Sequence, residues 1–234
     1  MQTGYVVALA REARSLLKTG PLPLAEPISV GEDLIVVSGI GADAATAAAT
    51  ILIRQDVSRL VSWGTAGSLV SHLSSGTIVV PQILVAADNS RYQTTDTWRN
   101  DLVNELSAYL SVISDPLAEA RYVLNSEAQK TALHETSLAV ACDMESVAVA
   151  KTAAQAKLPF LAVRAIVDTL DLSLPRWLTE MLDSNGEPRI GPLLSGLCAR
   201  PGDIARLIKL RRAFQRALTN LAHVHDLTSA QPGA

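Results

Sequence analysis

Residues 59–67 read Arg-Leu-Val-Ser-Trp-Gly-Thr-Ala-Gly, a short apolar run closed by two glycines. A run of this length carrying Val and Trp fits a strand and is too short for a helix, and Gly64 and Gly67 predict a sharp turn after it. Outward from it, similar runs predict strands at Tyr5–Leu9, Leu34–Ser38, Thr77–Leu84, Ser137–Cys142 and Phe160–Val167. Several are apolar at nearly every position, as strands covered on both faces are. Between them, Ala-rich or 3.6-periodic stretches predict helices over Glu12–Lys18, Asp43–Gln55, Asp101–Ser111, Met144–Ala156 and Pro201–His223. Gly39 and Gly41 punctuate one of the strand-to-helix turns. This alternation is the pattern of an α/β domain whose mostly parallel sheet is crossed by helices. One domain is expected over residues 1–226, with a frayed tail at 227–234. Leu170–Pro192 mixes Pro, Gly, Asp and Ser around Trp177 and Met181, and reads as a long loop of the kind that serves as a lid.

Composition removes several classes of function. Of 234 residues 48% are hydrophobic, too many for a disordered chain. With 20 Lys and Arg against 23 Asp and Glu the net charge is −3, which gives no general attraction for nucleic acid. Cys142 and Cys198 lie far apart and in no ligand spacing, so neither a disulfide framework nor a structural zinc is expected. Charge at Arg11, Glu12 and Arg14 interrupts the first apolar run, and no later segment reaches the ~18 apolar residues of a spanning helix. A cytoplasmic protein is the expectation.

In a parallel sheet, ligands bind beyond the carboxyl ends of the strands, so polar residues that close apolar runs are the candidates for chemistry. Four places qualify: Glu12, Gly64-Thr65-Ala66-Gly67, Asp143-Met144-Glu145 and Asp168. Each also has a plain structural reading. Glu12 and Glu145 fit first-turn helix positions, Asp143 fits an N-cap, Asp168 an Asx turn, and the glycines a tight connection.

Taken in order, the Glu after the first strand, the GTAG segment, the Asp-Met-Glu helix start and Arg164-Ala165-Ile166-Val167-Asp168 resemble the nucleoside phosphorylase and nucleosidase superfamily. The resemblance covers about residues 3–170. It implies a single domain with a central mixed, mostly parallel sheet flanked by helices. Leu133-His134, the Ala139–Ser146 run and Arg200-Pro201-Gly202-Asp203 look most like one branch, the hopanoid-associated phosphorylases, which act on adenosylhopane, a lipid-linked nucleoside.

The same resemblance implies roles. Breaking an N-glycosidic bond requires protonation of the leaving base and capture of a cationic sugar. Asp168 matches the family's acid beside the purine N7, and burial would raise its proton affinity enough to donate at neutral pH. Glu145 matches the carboxylate that accepts the ribose hydroxyls, and Met144 would pack on the ribose. Thr65, Ala66 and Gly67 match the segment lining the nucleophile side. Glu12 matches the carboxylate that activates water. Arg164, four residues before Asp168 on a strand, either orients a carboxylate or closes a structural ion pair.

Two departures from the family pattern bear on the reaction. Phosphorylases carry an Arg three residues before the Ser or Thr of the glycine segment, where this chain has Ser62, and Glu26-Pro27-Ile28-Ser29-Val30-Gly31 offers no phosphate-binding Arg. This favours water over phosphate as nucleophile, whereas the name of the branch favours phosphate; both stay open at the level of sequence. The nucleosidases' stacking Phe is also missing after Ser126-Glu127, which admits a catalytically silent nucleoside binder as a competing reading, alongside a methylthioadenosine/S-adenosylhomocysteine nucleosidase. No cofactor and no metal are required.

Over Asp203–His223, Leu207, Leu210, Phe214, Leu218 and Leu221 recur at helical spacing, opposite Arg206, Lys209, Arg212 and Arg216. The plain reading is a surface helix with one packed stripe; the sharper one is peripheral contact with anionic lipid. The family resemblance also implies a homo-oligomer.

Overall fold

The computed structural model describes residues 1–170 and 203–229, and the expected lid segment therefore lies outside the described residues from 171 onward. Among the described residues, eleven strands form one sheet. They are β1 (Thr3–Val7), β2 (Pro27–Val30), β3 (Asp33–Val37), β4 (Arg59–Ser68), β5 (Ile78–Val79), β6 (Ile83–Val85), β7 (Arg91–Gln93), β8 (Val112–Ile113), β9 (Leu117–Glu119), β10 (Ala141–Asp143) and β11 (Phe160–Asp168). The described helices are α1 (Ala10–Ala13), α2 (Ala42–Arg54), α3 (Asp96–Leu106), α4 (Glu127–Ser137), α5 (Ser146–Ala156) and α6 (Asp203–Ser229).

The main path runs β2-β3-β1-β4-β10-β9-β6-β7, with β11 also pairing β4 and continuing through β5 to β8. Pairs β1–β3, β1–β4, β4–β11, β9–β10, β6–β9 and β5–β8 are parallel, whereas β2–β3, β4–β10, β5–β11 and β6–β7 are antiparallel. The sheet is thus mixed and mostly parallel, as expected. It branches at β4, whose first half lies between β1 and β11 and whose last residues turn to β10.

Strand alternation sends successive side chains to opposite faces. Phe160, Ala162 and Ile166 of β11 join Val6, Val36 and Leu60 under α2 and α5, while Leu161, Val163 and Ala165 join Val7, Ile35, Val37, Val61 and Trp63 under α3 and α6. Ala45, Ala48, Ala49 and Leu52 of α2 close the first face. The small side chains let the helix approach the strands closely.

Several expectations need correcting. Gly64-Thr65-Ala66-Gly67 does not form a turn; it is the second half of β4, in register with Arg164–Asp168. The predicted strand Thr77–Leu84 divides into β5 and β6 around Pro81, which has no N–H to give to a ladder. Of Ser137–Cys142 only Ala141 and Cys142 are strand, in β10, because Ser137 ends α4 and Leu138 takes the left-handed conformation at φ 59°. α1 is a four-residue turn. α3 lies five residues earlier than predicted, starting after Thr95, with Arg99 paired to Asp96 at 2.7 Å. α4 has no counterpart among the expected helices. α6 continues to Ser229, so Leu227–Ser229 belong to the helix and not to a tail, and Leu227 packs beside the second core face. Of the apolar residues expected to pack from α6, Leu221 is buried, together with Ala213, Ala217 and Val224, while Leu207, Leu210, Phe214 and Leu218 are half-buried.

Candidate active site

β1 ends at Val7 and the chain turns at once into α1, which places Glu12 against β4. Trp63 of β4 fastens this turn: its indole N–H donates to Ser15 Oγ at 2.8 Å, and Ser15 donates to the Glu12 carbonyl at 2.6 Å. Glu12 is 2% exposed, not a solvated first-turn residue. Its Oε1 accepts both the Thr65 backbone N–H at 2.8 Å and the Thr65 hydroxyl at 2.6 Å, and Oε2 accepts the Leu9 N–H at 3.2 Å. Burial raises the proton affinity of this carboxyl, while Arg164 and the Thr65 donors act in the opposite direction.

Gly64 faces Arg164 across the β4–β11 pair. A Cβ at Gly64 would fall 2.7 Å from Glu12 Oε2 and would collide with Arg164 Nη1, so the missing side chain is the space in which the two charged groups meet. Arg164 itself is 1% exposed. Its Nε lies 2.5 Å from Asp143 Oδ2, Nη2 donates to Ser62 Oγ at 2.6 Å, and Ser146 Oγ lies 3.0 Å from Nη2 and 3.1 Å from Nε. Arg164 forms the ion pair, with Asp143, and its guanidinium also lies beside the Glu12 carboxylate.

Asp143 ends β10, two residues before the position expected of an N-cap, because α5 begins at Ser146. Its Oδ1 still accepts the Ser146 N–H at 3.1 Å, and Oδ2 is hydrogen-bonded to Ser146 Oγ. One carboxylate therefore caps a helix and neutralises a buried guanidinium.

Glu145, 8% exposed, lies at the entry to α5. Its Oε1 accepts the Gly41 N–H at 2.8 Å and its Oε2 the Met144 N–H at 3.3 Å. Gly41 presents that N–H from a backbone at φ +101°, a conformation open to glycine and strained for other residues. Burial pushes the Glu145 carboxyl up to about 7, with Asp143 adding to the rise and Arg164 opposing it. Met144 is half-buried beside Cys142, Leu69 and Ala118. Burial likewise pushes the Cys142 thiol up, consistent with a small buried residue and not a nucleophile.

Asp168 closes β11 beyond an irregularity in register. Ile166 pairs with Ala66, but Asp168 and not Val167 pairs with Gly67. This bulge re-aims the carboxyl over β4: a Cβ at Gly67 would fall 2.7 Å from Asp168 Oδ1. Burial raises the Asp168 proton affinity, and Lys130, whose Nζ lies 2.7 Å from Oδ2, opposes it.

These contacts link the candidates. Glu12 joins Thr65, Asp168 lies over Gly67, and Glu145 joins Gly41, while Ala66 packs in the core below. The charge of Glu12 also reaches Glu145, and Asp143 and Asp168 both act on Cys142, which pairs with Gly67. Sequence reading did not find Lys130, Ser62, Ser146 or the use of Gly41. A surface cavity of about 470 Å³ lined by Arg91, Tyr92, Ala150 and Phe160 holds none of the candidates. Among the described residues no group of three His, Cys, Asp or Glu side chains has the geometry for a metal ion. Lys209, Arg212 and Arg216 are exposed on α6, and no described helix is long and apolar enough to cross a membrane.

The Glu145 environment makes a prediction for the unliganded protein. A carboxyl that binds its proton more tightly folded than unfolded lowers stability as pH rises from 4.5 to about 7, and the full cost remains above that. Glu145→Gln removes this titration. Relative to the parent, the variant should gain stability between pH 4.5 and 8 by a few kcal/mol, on the order of 1.4 kcal/mol per pH unit of the window, on top of a pH-independent cost of setting its amide NH₂ against a backbone N–H. Urea unfolding at several pH values measures it; parallel curves for the two proteins would refute it.

The sequence model of the phosphorylase superfamily matches residues 3–184. No curated protein matches the chain in sequence. In fold, the chain is similar to the 5′-methylthioadenosine/S-adenosylhomocysteine nucleosidase of Helicobacter pylori, at 16% identity and TM-score 0.71 with 99% of each chain covered. It is also similar to the futalosine hydrolase of Helicobacter pylori, at 17% identity and TM-score 0.72 over 98% of this chain and 97% of that one. The S-adenosylhomocysteine nucleosidase of Streptococcus pyogenes, in complex with 5-methylthiotubericidin, matches at 17% identity and TM-score 0.72 over 100% and 98%.

Proposed function

The chain belongs to the phosphorylase superfamily and is an enzyme of N-glycosidic bond cleavage, and on that premise we propose that it hydrolyses a purine nucleoside, releasing adenine. Asp168 donates a proton to N7 of the base as the C1′–N9 bond breaks and its electron pair stays with the base. Glu145 accepts hydrogen bonds from the vicinal ribose hydroxyls, two oxygens against a diol. Met144 supplies apolar contact to the sugar. A water oxygen bonds to C1′ and its proton passes to Glu12, which Thr65 holds in place. Solvent exchange then returns the proton to Asp168 and removes the one on Glu12.

The observation that carries this reading is the state of Arg164. Its guanidinium is bonded to Asp143, Ser62 and Ser146, and around it stand the buried carboxyls of Glu12 and Glu145. A phosphate dianion entering there would find the guanidinium already bonded to Asp143 and would meet like charge on whichever of the two carboxyls is ionised. Water meets a base. This supports hydrolysis over phosphorolysis.

For the group on the ribose 5′ side, the Asp-Met-Glu-Ser segment and the exposed Lys209, Arg212 and Arg216 support a lipid-linked adenosine such as adenosylhopane, reached by peripheral contact with an anionic bilayer. Similarity in fold to the methylthioadenosine/S-adenosylhomocysteine nucleosidases favours the smaller thio-nucleosides as the second reading. We further propose a cytoplasmic homo-oligomer with no cofactor. The test is adenine release from adenosine, methylthioadenosine, S-adenosylhomocysteine and a lipid-linked adenosine, each with and without phosphate and anionic vesicles. Phosphate-independent release is expected, fastest with the lipid-linked substrate on vesicles. Tight binding of these nucleosides with no release from any of them would identify a silent binder.

A further inference from the structure

Lys130 has no part in the chemistry above, yet its side chain is 1% exposed. A buried ammonium persists only when paired and hydrogen-bonded. Lys130 reaches from α4 to the end of β11, where Nζ lies 2.7 Å from Asp168 Oδ2 and donates to the Thr169 carbonyl at 2.8 Å. The other oxygen of the same carboxyl lies over the bare backbone of Gly67, with 2.7 Å between Oδ1 and the place a Cβ would take. Ammonium on one side, glycine on the other and the bulge at Val167 together leave the carboxyl one orientation.

We infer that Lys130 is a positioning residue for the proton donor, fixing which oxygen of Asp168 faces the base and how firmly it holds the proton. The inference rests on Asp168 being that donor. With Oδ2 held by Lys130, Oδ1 is the oxygen that carries and gives the proton. When Oδ1 protonates N7, the carboxylate left behind is already paired at 2.7 Å, so the charge that develops on the donor forms beside a fixed cation. Lys130 keeps its own protons throughout. Burial alone would make Asp168 hold its proton too tightly, and the neighbouring ammonium counters that effect. Of the other titratable groups nearby, the Cys142 thiol on β10 is kept neutral by burial, and Asp143 acts on that thiol from the next position.

The test is Lys130→Met, which keeps the apolar stem and removes the charge. The alkaline limb of the kcat/KM profile, where Asp168 loses its proton, should move up by about one pH unit or more, and kcat at pH 7 should fall about tenfold or more with little change in KM. Lys130→Arg should keep the limb near the parent position. A ¹³C-detected titration of the Asp168 carboxyl in the unliganded protein should show the same upward move in Lys130→Met. Unchanged limb and unchanged carboxyl titration would overturn the inference. Should Lys130→Met fail to fold, Gly67→Ala displaces the carboxyl from the opposite side with Lys130 intact. Wild-type kcat and carboxyl titration in that variant would equally overturn it. Absence of base release by the parent enzyme defeats the hydrolase reading alone, since the carboxyl titration needs no substrate.

Discussion

Asp168→Asn should lower adenine release by about 10²- to 10⁴-fold, the range a positioned general acid contributes. The substitution is nearly isosteric, and the amide oxygen can still accept from Lys130, so the end of β11 keeps its geometry. What disappears is the acidic proton on Oδ1, and with it the alkaline limb of the pH profile. A substrate whose leaving group needs no protonation should lose far less. The variant leaves the Lys130 ammonium buried without a counter-charge, a defect that costs several kcal/mol when one partner of a buried pair is removed. Asp168→Asn with Lys130→Met should therefore recover stability and recover no activity. Recovery of both would mean that Asp168 is a structural partner and not the donor.

Glu12→Gln should cost about 10²-fold or more, and at the other end of the pH range. In the parent, Oε1 accepts two hydrogen bonds from Thr65. The Gln carbonyl can replace Oε1 there, leaving its NH₂ where Oε2 lay, facing the Leu9 N–H and the Arg164 guanidinium. Donor then meets donor, and no base remains to take the proton of water. The acidic limb of the profile, set by protonation of this buried carboxyl, should vanish while the alkaline limb of Asp168 stays. Inorganic phosphate should not restore the rate. A rate regained with phosphate would transfer the nucleophile's role to it.

Glu12, Glu145 and Asp168 stand out in the sequence because each follows an apolar run, a position that can face a ligand in a sheet with parallel strands, and the family resemblance supplies the roles proposed for them. Their environments were less legible. Gly64 and Gly67 read as turn residues, since sequence reveals that a side chain is missing but not what occupies the space. In the fold they sit inside β4 and make room for Arg164, Glu12 and Asp168. Arg164 admitted two readings because its partner, Asp143, comes from another element. The α4 helix has no apolar stripe to announce it, although Ser126 and Gln129 carry a cap signal: Ser126 Oγ accepts the Gln129 N–H, and the Gln129 side chain accepts from the Asn125 N–H. Lys130 could not be found from periodicity, because a lysine is buried only where a distant carboxylate waits for it, here 38 positions along the chain. Of the large apolar residues of α6 only Leu221 is fully buried, and Ala213, Ala217 and Val224 complete the buried stripe.

The measurement that tests the account most directly is the fate of solvent oxygen. The enzyme should be incubated with an adenine nucleoside in H₂¹⁸O containing inorganic phosphate, and the products weighed by mass spectrometry. The account predicts free adenine and a sugar that gains one ¹⁸O at C1′, at the same rate with or without phosphate. A sugar 1-phosphate without label, or intact nucleoside across the whole panel, would contradict it.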